Sequence, residues 1–257
     1  MSGKLAGMVL GLRHRRALSF LRRYEGIADD ADAKDLRTLR AMARQLHQRI
    51  GHIIDVADTR LTNPGSSIEK THLPLTTEWS YRPDFWSAPV RPNGVAAVAS
   101  KTQLSTSTTI YHDSAISELT VRQVKNTGAL DFAPFGLRMD VFNFEGSFIS
   151  LAISAPDAAI DGLRKNHIVR VGVQGESEKS IELFARLNLR HGPNTEQIVR
   201  EIKFENNEAV VEFDLEYTNF NENRAEKMWI DLIFESPSMN QISLFDFVLS
   251  RHQRADL

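Results

Sequence analysis

Three groups of side chains in this sequence have types and spacings that could do chemistry or bind a ligand. The first is an aromatic and charged segment whose candidate ligand-binding residues are Trp79, Tyr81, Arg82 and Trp86. Flat aromatic rings beside an arginine suit sugars, because the apolar face of a sugar ring stacks while its hydroxyl groups form hydrogen bonds. The alternative interpretation is that these aromatic side chains plug one end of a folded core.

The second group consists of His112 and Asp113, followed by Glu118 and Arg122. A histidine beside carboxylates can act as a general base or supply part of a metal site. Adjacent residues of a strand point to opposite faces, so His112 and Asp113 converge only if a strand ends there. A turn stabilised by Asp113 and Ser114 is the simpler interpretation.

The third group surrounds the Gly192-Pro193 turn and contains Asn188, His191 and Asn194. Polar side chains at the end of a strand could form a binding rim, since loops commonly carry the function of β-sandwich proteins. Turn formation explains the glycine, proline and asparagine residues equally well.

Recognised catalytic motifs are absent from the sequence. It has no nucleophile elbow, no His-Glu-x-x-His, no phosphate-binding loop and no EF-hand loop. The absence of cysteine excludes disulfides and thiolate metal sites. We therefore predict neither a cofactor nor a metal and favour a non-catalytic protein. A carbohydrate hydrolase that uses a pair of surface carboxylates is the catalytic alternative.

Two helical patterns occupy residues 1–62. The first places its basic side chains opposite an apolar face, a pattern typical of helices that lie on an anionic membrane or dock on a partner; these residues are Arg15, Arg16, Arg22 and Arg23. The second has apolar residues spaced alternately by three and four, which is a heptad seam; its members include Leu36, Leu39, Leu46, Ile50 and Ile53. The seam predicts either a homo-oligomer through a coiled coil or a hairpin with the first helix.

The remainder of the chain changes from a connection to a β pattern. Residues 63–94 are rich in proline, serine and threonine and predict an extended aromatic linker. Residues 95–257 contain about eleven short stretches in which apolar and polar residues alternate, most clearly at 181–189 and 209–217. Because no helical pattern separates them, we predict a mainly β fold, an antiparallel jelly-roll-like β-sandwich, with a barrel as the alternative.

Charge is distributed unevenly along the chain. The net charge is −2, but residues 1–62 carry +5 and the remainder −7. An acidic body argues against specific nucleic-acid binding, which needs a basic face. The sequence has no apolar run of about 18 residues that could span a membrane, and the short run at residues 5–12 lacks a cleavage site. We expect a cytoplasmic protein, with peripheral contact to an anionic membrane left open.

Two resemblances add to these predictions. The strand patterns at 228–234 and 242–249 resemble the closing strands of galactose-binding-like jelly rolls, which occur in many carbohydrate-binding modules. The segments at 112–123, 133–142, 185–194 and 229–232 carry a wider likeness. Through them, residues from about 79 to 257 resemble an uncharacterised alphaproteobacterial family of the Rhodobacter type, described only as a domain of unknown function. That resemblance implies a bacterial source and no particular activity.

Together these patterns predict a non-catalytic binding or structural protein. We expect its β-sandwich to recognise a glycan or a protein partner. The helical arm would mediate self-association or docking. The sequence leaves open the identity of the ligand, the oligomeric state, whether the sandwich binds calcium and whether the chain joins a larger assembly.

Overall fold

The computed structural model describes residues 2–61, 73–127 and 133–254. The chain divides into two compact units, Met1–Ala57 and Asp58–Leu257. Within the described residues, no helix combines the length and the apolar character needed to cross a bilayer.

The first unit is built from two long helices, α1 (Ser2–Asp30) and α2 (Ala33–Leu61). Asp32 caps α2, since its carboxylate accepts hydrogen bonds from the backbone N–H groups of Lys34 at 2.9 Å and Asp35 at 2.8 Å.

The apolar faces of α1 and α2 meet at a cleft of about 200 Å³, lined by Phe20, Leu21, Tyr24, Leu39, Met42, Ala43, Leu46, His47 and Ile50. Much of the predicted heptad seam nevertheless stays in contact with solvent. The exposed fraction rises from 40% at Leu36 to 66% at Ile53. Two helices alone cannot cover both of their apolar faces, so this unit presents uncovered apolar surface.

The second unit contains thirteen strands and one short helix in its described residues. The first part of the unit comprises β1 (Thr77–Tyr81), α3 (Asp84–Ser87), β2 (Gly94–Ala96), β3 (Thr102–Gln103), β4 (Thr108–His112), β5 (Ser117–Lys125) and β6 (Phe135–Phe144). The second part comprises β7 (Phe148–Ser154), β8 (His167–Ser177), β9 (Glu182–His191), β10 (Asn194–Ile202), β11 (Glu208–Asp214), β12 (Ala225–Glu235) and β13 (Asn240–Gln253). Each of the eleven predicted strands overlaps one of these.

The strands form two antiparallel sheets. The seven-stranded sheet has the order β11-β8-β13-β6-β5-β2, with β1 also paired to β13, and the six-stranded sheet has the order β10-β9-β12-β7-β4-β3. Alternate side chains of both sheets enter one hydrophobic core, among them Leu151, Leu232 and Phe247. The protein is therefore mainly β with two antiparallel sheets, an arrangement consistent with the predicted jelly roll.

The segment at residues 63–94 differs from its prediction as an extended linker. β1 forms a ladder with the second half of β13, from Thr77 opposite His252 to Tyr81 opposite Leu249. This edge is available because β6 pairs only with the first half of β13, Asn240–Leu244. The described end of the segment is therefore part of the seven-stranded sheet and its core.

Candidate functional site

The aromatic segment at residues 79–86 packs into the fold instead of forming a ligand platform. Trp86 is 0% exposed, and its indole N–H donates to the Leu244 carbonyl at 3.1 Å. Arg82 is also buried, and it donates to both carboxylate oxygens of Asp246, at 2.8 and 2.7 Å. Because Trp86 and Arg82 are buried and already partnered, they present no surface to a ligand, which corrects the prediction from the sequence.

Trp79 and Tyr81 lie beside each other on β1 and are partly buried. Their ring centroids are 6.1 Å apart with an interplanar angle of 21°, and Trp79 packs against the hydrophobic core. Burial raises the pKa of Tyr81 above its usual value. This pair supports the alternative interpretation, in which the segment closes part of the core.

His112 and Asp113 face different surroundings, as strand alternation requires. His112 is buried, with Nε2 2.9 Å from the Val98 carbonyl oxygen and its ring edge-on to Phe144. Asp113 lies just beyond β4 and accepts hydrogen bonds from the hydroxyl and the backbone N–H of Ser147. The Ser147 hydroxyl is the main cause that lowers the pKa of Asp113. Asp113 therefore stabilises a turn.

Glu118 and Arg122 lie on β5, which belongs to the other sheet. Arg122 forms an ion pair with Asp140 at 3.1 Å, and Glu118 accepts a long hydrogen bond of 3.4 Å from the backbone N–H of Asn143. The second candidate group is therefore divided between the two sheets and does not converge on one site.

The third group does not form a single rim, although Asn188 lines a concave surface. His191 is buried and packs edge-on against Phe220 at 5.7 Å, while Asn194 is exposed at the start of β10. Asn188 is 0% exposed and lies on the floor of a groove on the outer face of the six-stranded sheet.

We call this concavity the outer groove. It has a volume of about 940 Å³, and it crosses β4, β7, β12, β9 and β10 on the face that points away from the core. Its lining residues are Thr109, Tyr111, Ser147, Phe148, Ser150, Ala152, Ser154, Arg186, Asn188, Arg190, Gln197, Lys227, Trp229, Asp231, Ile233, Glu235 and Ser236.

The groove exists because β7 presents small side chains outward. Ser150, Ala152 and Ser154 alternate with the buried core residues Leu151 and Ile153, so all three small side chains lie on the outer face. The neighbouring strands carry larger groups at the same levels. A depression therefore follows β7 between taller side chains.

Two aromatic side chains flank this depression. Tyr111 of β4 lies opposite Ser150 and is 39% exposed, while Trp229 of β12 lies opposite Ser154 at the other end of β7. Four residues along a strand and two strand spacings separate their backbone positions, a diagonal of roughly 16 Å.

A chain of hydrogen bonds, which we call the polar network, crosses the groove floor. Arg186 donates to Asp231 Oδ2 through Nε at 3.0 Å and through a terminal nitrogen at 2.8 Å. Asn188 Nδ2 donates to the same oxygen at 2.8 Å, and Gln197 Nε2 donates to Asn188 Oδ1 at 2.8 Å. All three donors to Asp231 engage Oδ2, and no described residue donates to Oδ1.

Metal binding finds no support in the described residues. No group of three or more His, Asp or Glu side chains in that part of the chain could hold a metal ion. The groove instead offers aromatic faces, amides, an arginine and a carboxylate oxygen, which are groups that suit a neutral or charged polyhydroxyl ligand.

Among the residues that line the outer groove, Asn188 is the one predicted from the sequence as a candidate ligand-binding residue. A signal for the groove was present within the predicted strand at 227–234. Met228, Ile230 and Leu232 point into the core, so strict alternation places Trp229 and Asp231 on the opposite face. A tryptophan at an outward position of a strand is a stronger sign of a binding surface than one in a proline-rich segment.

Comparison of the whole sequence with protein families gives one match. Residues 1–257 match the family of unknown function DUF6478, so the chain belongs to that family. No curated protein is similar to it in sequence.

Solved structures with a related arrangement share little sequence with this chain. The enzymatically active domain of tailspike protein 4 from bacteriophage CBA120 is 10% identical with a TM-score of 0.41; the match covers 62% of this chain but only 21% of the tailspike chain. The family 11 carbohydrate-binding module of Clostridium thermocellum, in complex with a β-1,3-1,4-mixed-linked tetrasaccharide, is 12% identical with a TM-score of 0.39 and covers 60% of this chain and 95% of its own. TmCBM61 in complex with β-1,4-galactotriose is 14% identical, with a TM-score of 0.34 and coverage of 58% and 90%. Sequence identities and TM-scores this low do not indicate what this chain does.

Proposed function

We propose that this member of a family of unknown function binds a glycan chain in the outer groove and does not cleave it. The observation that supports this proposal is the pairing of two flanking aromatic rings, Tyr111 and Trp229, with a polar floor between them. Aromatic faces bind the apolar C–H faces of sugars, and fixed polar groups orient the hydroxyls. The span between the rings suits an oligosaccharide segment better than a single sugar.

The polar network supplies the oriented groups. Asp231 is 4% exposed and is fixed by Arg186 and Asn188, so its Oδ1 is an acceptor of defined position. Gln197 is exposed at the groove edge and is anchored by its bond to Asn188. Acceptors and donors that are held in place before binding lose little conformational entropy when a ligand arrives.

The carboxylates of the groove favour binding over hydrolysis. The acidic residues in its lining are Asp231 and Glu235, which are four residues apart on β12 and therefore roughly 13 Å apart along the strand. Glycosidases hold their two carboxyl groups about 5 to 9.5 Å apart. Arg186 also neutralises Asp231 directly, which removes the proton-transfer role that a catalytic pair requires.

A polysaccharide-binding screen tests the proposal with the full chain. Wild-type protein and the variants Trp229→Ala and Tyr111→Ala are compared by affinity electrophoresis in gels that contain individual polysaccharides. We expect retardation by at least one polysaccharide, and we expect each variant to weaken it tenfold or more, because stacking contacts are lost.

Phe142→Ala is the matched control, since Phe142 is 54% exposed on β6 of the other sheet. This variant should bind as the wild type does. If no polysaccharide retards the wild type, or if the Phe142 and Trp229 variants bind alike, the proposal is wrong.

We also propose that the helical unit joins two copies of the chain. Described seam residues such as Leu46 and Ile50 are 40% and 46% exposed, and the strict alternation of three and four spacings is that of helices packing on helices. A stripe restricted to these two heptad positions is the narrow seam typical of a coiled coil. A second hairpin would cover the cleft between α1 and α2.

Light scattering on the full chain tests this assembly. We expect a dimer or larger, and a monomer for the double variant Leu46→Glu/Ile50→Glu. A monomeric wild type would contradict the assembly. Membrane contact through Arg15, Arg16, Arg22 and Arg23, all exposed on α1, would then be supported if the protein co-sediments with anionic but not neutral vesicles.

A further inference from the structure

Two of the three cationic side chains that line the outer groove, Lys227 and Arg190, lie at one of its ends. Lys227 and Arg190 are direct cross-strand partners on β12 and β9, next to the level where Trp229 faces Asn188. The acidic side chain Glu235 lies at the opposite end of β12, level with the start of β7. The groove is therefore positive at its Trp229 end and negative at its far end.

These cations are incompletely neutralised by the protein. Lys227 has no carboxylate oxygen within 4.0 Å among the residues that the structure describes, and its Nζ lies 6.0 Å from the centroid of the Trp229 ring. Arg190 pairs with Glu226 at 3.1 Å, but the two side chains are 57% and 47% exposed. An ion pair with this exposure contributes little, because solvent and salt screen it.

The two cations repel each other, and an anionic ligand bound between them would relieve this repulsion. Like charges directly opposite each other on neighbouring strands destabilise a sheet, and Lys227 and Arg190 are such a pair. A cation 6.0 Å from a ring centroid is at the outer limit of a favourable contact, so the Lys227 ammonium can turn toward a ligand at little cost. Arg190 can form charge-assisted hydrogen bonds to an acid group.

We propose that the glycan bound in the outer groove is acidic, and that Lys227 and Arg190 bind the acid group of the sugar ring that stacks on Trp229. This inference rests on the proposed glycan-binding function and adds the class of ligand. We do not assign Arg186 to the acid group, because its Nε and one terminal nitrogen donate to Asp231 and its charge is paired there. Binding is directional, since Glu235 repels an acid group at the other end.

The test compares polymers that differ mainly in charge. Polygalacturonate carries carboxylates, its fully methyl-esterified form carries none on the same backbone, and dextran sulfate carries sulfate groups on a glucan backbone. Affinities of the full chain are measured by titration calorimetry at low and high salt. We expect polygalacturonate to bind at least tenfold more tightly than its ester, with a difference that shrinks at high salt. Binding of dextran sulfate as well would indicate recognition of any anion, whereas binding of polygalacturonate alone would indicate recognition of carboxylate.

Three variants locate the contact. Lys227→Gln combined with Arg190→Gln should lower the affinity for polygalacturonate about tenfold and leave the affinity for the ester unchanged. Lys203→Gln is the matched surface control, since Lys203 is 74% exposed and lies just after β10. Arg22→Gln with Arg23→Gln controls for attraction to the basic helical unit. Both controls should bind as the wild type does.

The outcomes separate the two proposals. If the acidic and esterified polymers bind equally and Trp229→Ala abolishes both, the proposal that the ligand is acidic is wrong. The proposal of glycan binding would then still hold. Loss of polygalacturonate binding in the Arg22 and Arg23 variant alone would also overturn it, because the attraction would then come from the helices. Failure of every polymer to bind would overturn both proposals.

Discussion

At the scale of single residues, Arg82 and Asp246 form a buried ion pair. Arg82 and Asp246 have side chains 4% and 3% exposed, and two hydrogen bonds of 2.8 and 2.7 Å join them. Asp246 Oδ1 also accepts from the backbone N–H of Phe247 at 2.8 Å. Removing one partner from a buried pair leaves an uncompensated charge, whereas removing both can be tolerated.

We therefore expect Arg82→Met to lower the free energy of unfolding by about 3–5 kcal/mol. The double variant Arg82→Met/Asp246→Leu should recover a large part of this loss. Urea unfolding followed by tryptophan fluorescence measures both. Glu201→Gln provides the exposed comparison, because the Lys203–Glu201 pair is 74% and 48% exposed and its loss should cost less than about 1 kcal/mol. If Arg82→Met and Glu201→Gln lowered the free energy of unfolding equally, the stabilising role of the buried pair would be contradicted.

His167, at the start of β8, is the buried titratable group whose environment favours the neutral form. Its Nδ1 accepts from the backbone N–H of Arg164 at 3.0 Å, and its Nε2 faces the Glu78 carboxylate at 3.3 Å. Burial is the largest cause and lowers the pKa of His167 below 6.5; Glu78 and Glu222 oppose the shift, and Arg251 and Arg164 reinforce it.

The pH dependence of stability follows from that direction. The unfolded chain takes up a proton at a pKa near 6.5, while the folded chain resists it, so the free energy of unfolding should fall as pH drops below about 6.5. A His167→Gln variant should lose this part of the pH dependence. Urea unfolding between about pH 5 and 8 makes the comparison. Parallel profiles for the two proteins would assign the pH dependence to other groups.

At the scale of elements, strand β7 separates two roles by its alternation. Leu151 is 0% exposed in the core, and its neighbour Ala152 lines the outer groove. Inward positions therefore determine stability, and outward positions determine the shape of the groove.

We expect Leu151→Ala to lower the free energy of unfolding by about 2–5 kcal/mol, because it leaves a cavity. Ala152→Leu should change that free energy by no more than about 0.5 kcal/mol, yet it should abolish polysaccharide binding by filling the depression. Urea unfolding and affinity electrophoresis on both variants test the distinction. Retained binding in Ala152→Leu would mean that the glycan lies elsewhere.

The same alternation explains what the sequence could reveal. Period-two patterns located eleven strands, because strands such as β8 bury one face and their inward residues, here Val169 and Val171, are apolar. β1 escaped detection, since its place in the sheet depends on pairing with β13, which lies far away in the sequence. The candidate site was harder to predict than the strands. Its side chains come from five strands, and only the pairing register brings Tyr111, Asn188 and Trp229 to one surface.

At the scale of the whole molecule, the two compact units predict separable behaviour. Every residue of the hydrophobic core cluster lies at position 79 or later. We expect a chain shortened to residues 63–257 to unfold cooperatively and to bind glycan as the full chain does, but to be monomeric. Calorimetric unfolding, affinity electrophoresis and light scattering check the three parts. Failure of the shortened chain to fold would show that the helices are needed for the sandwich.

The position of β13 has a consequence for how the protein is made. This strand is the last along the described chain, yet it lies inside its sheet and pairs with β8, β6 and β1. Glu78 of β1 and Gln253 of β13, which are hydrogen-bonded, are 175 positions apart. The seven-stranded sheet therefore cannot close on the ribosome until Gln253 has emerged, and until then β6, β8 and β1 have open edges. Closing this sheet depends on pairing between strands that are distant in sequence, which slows folding and leaves a period in which chaperones have unpaired strands to protect.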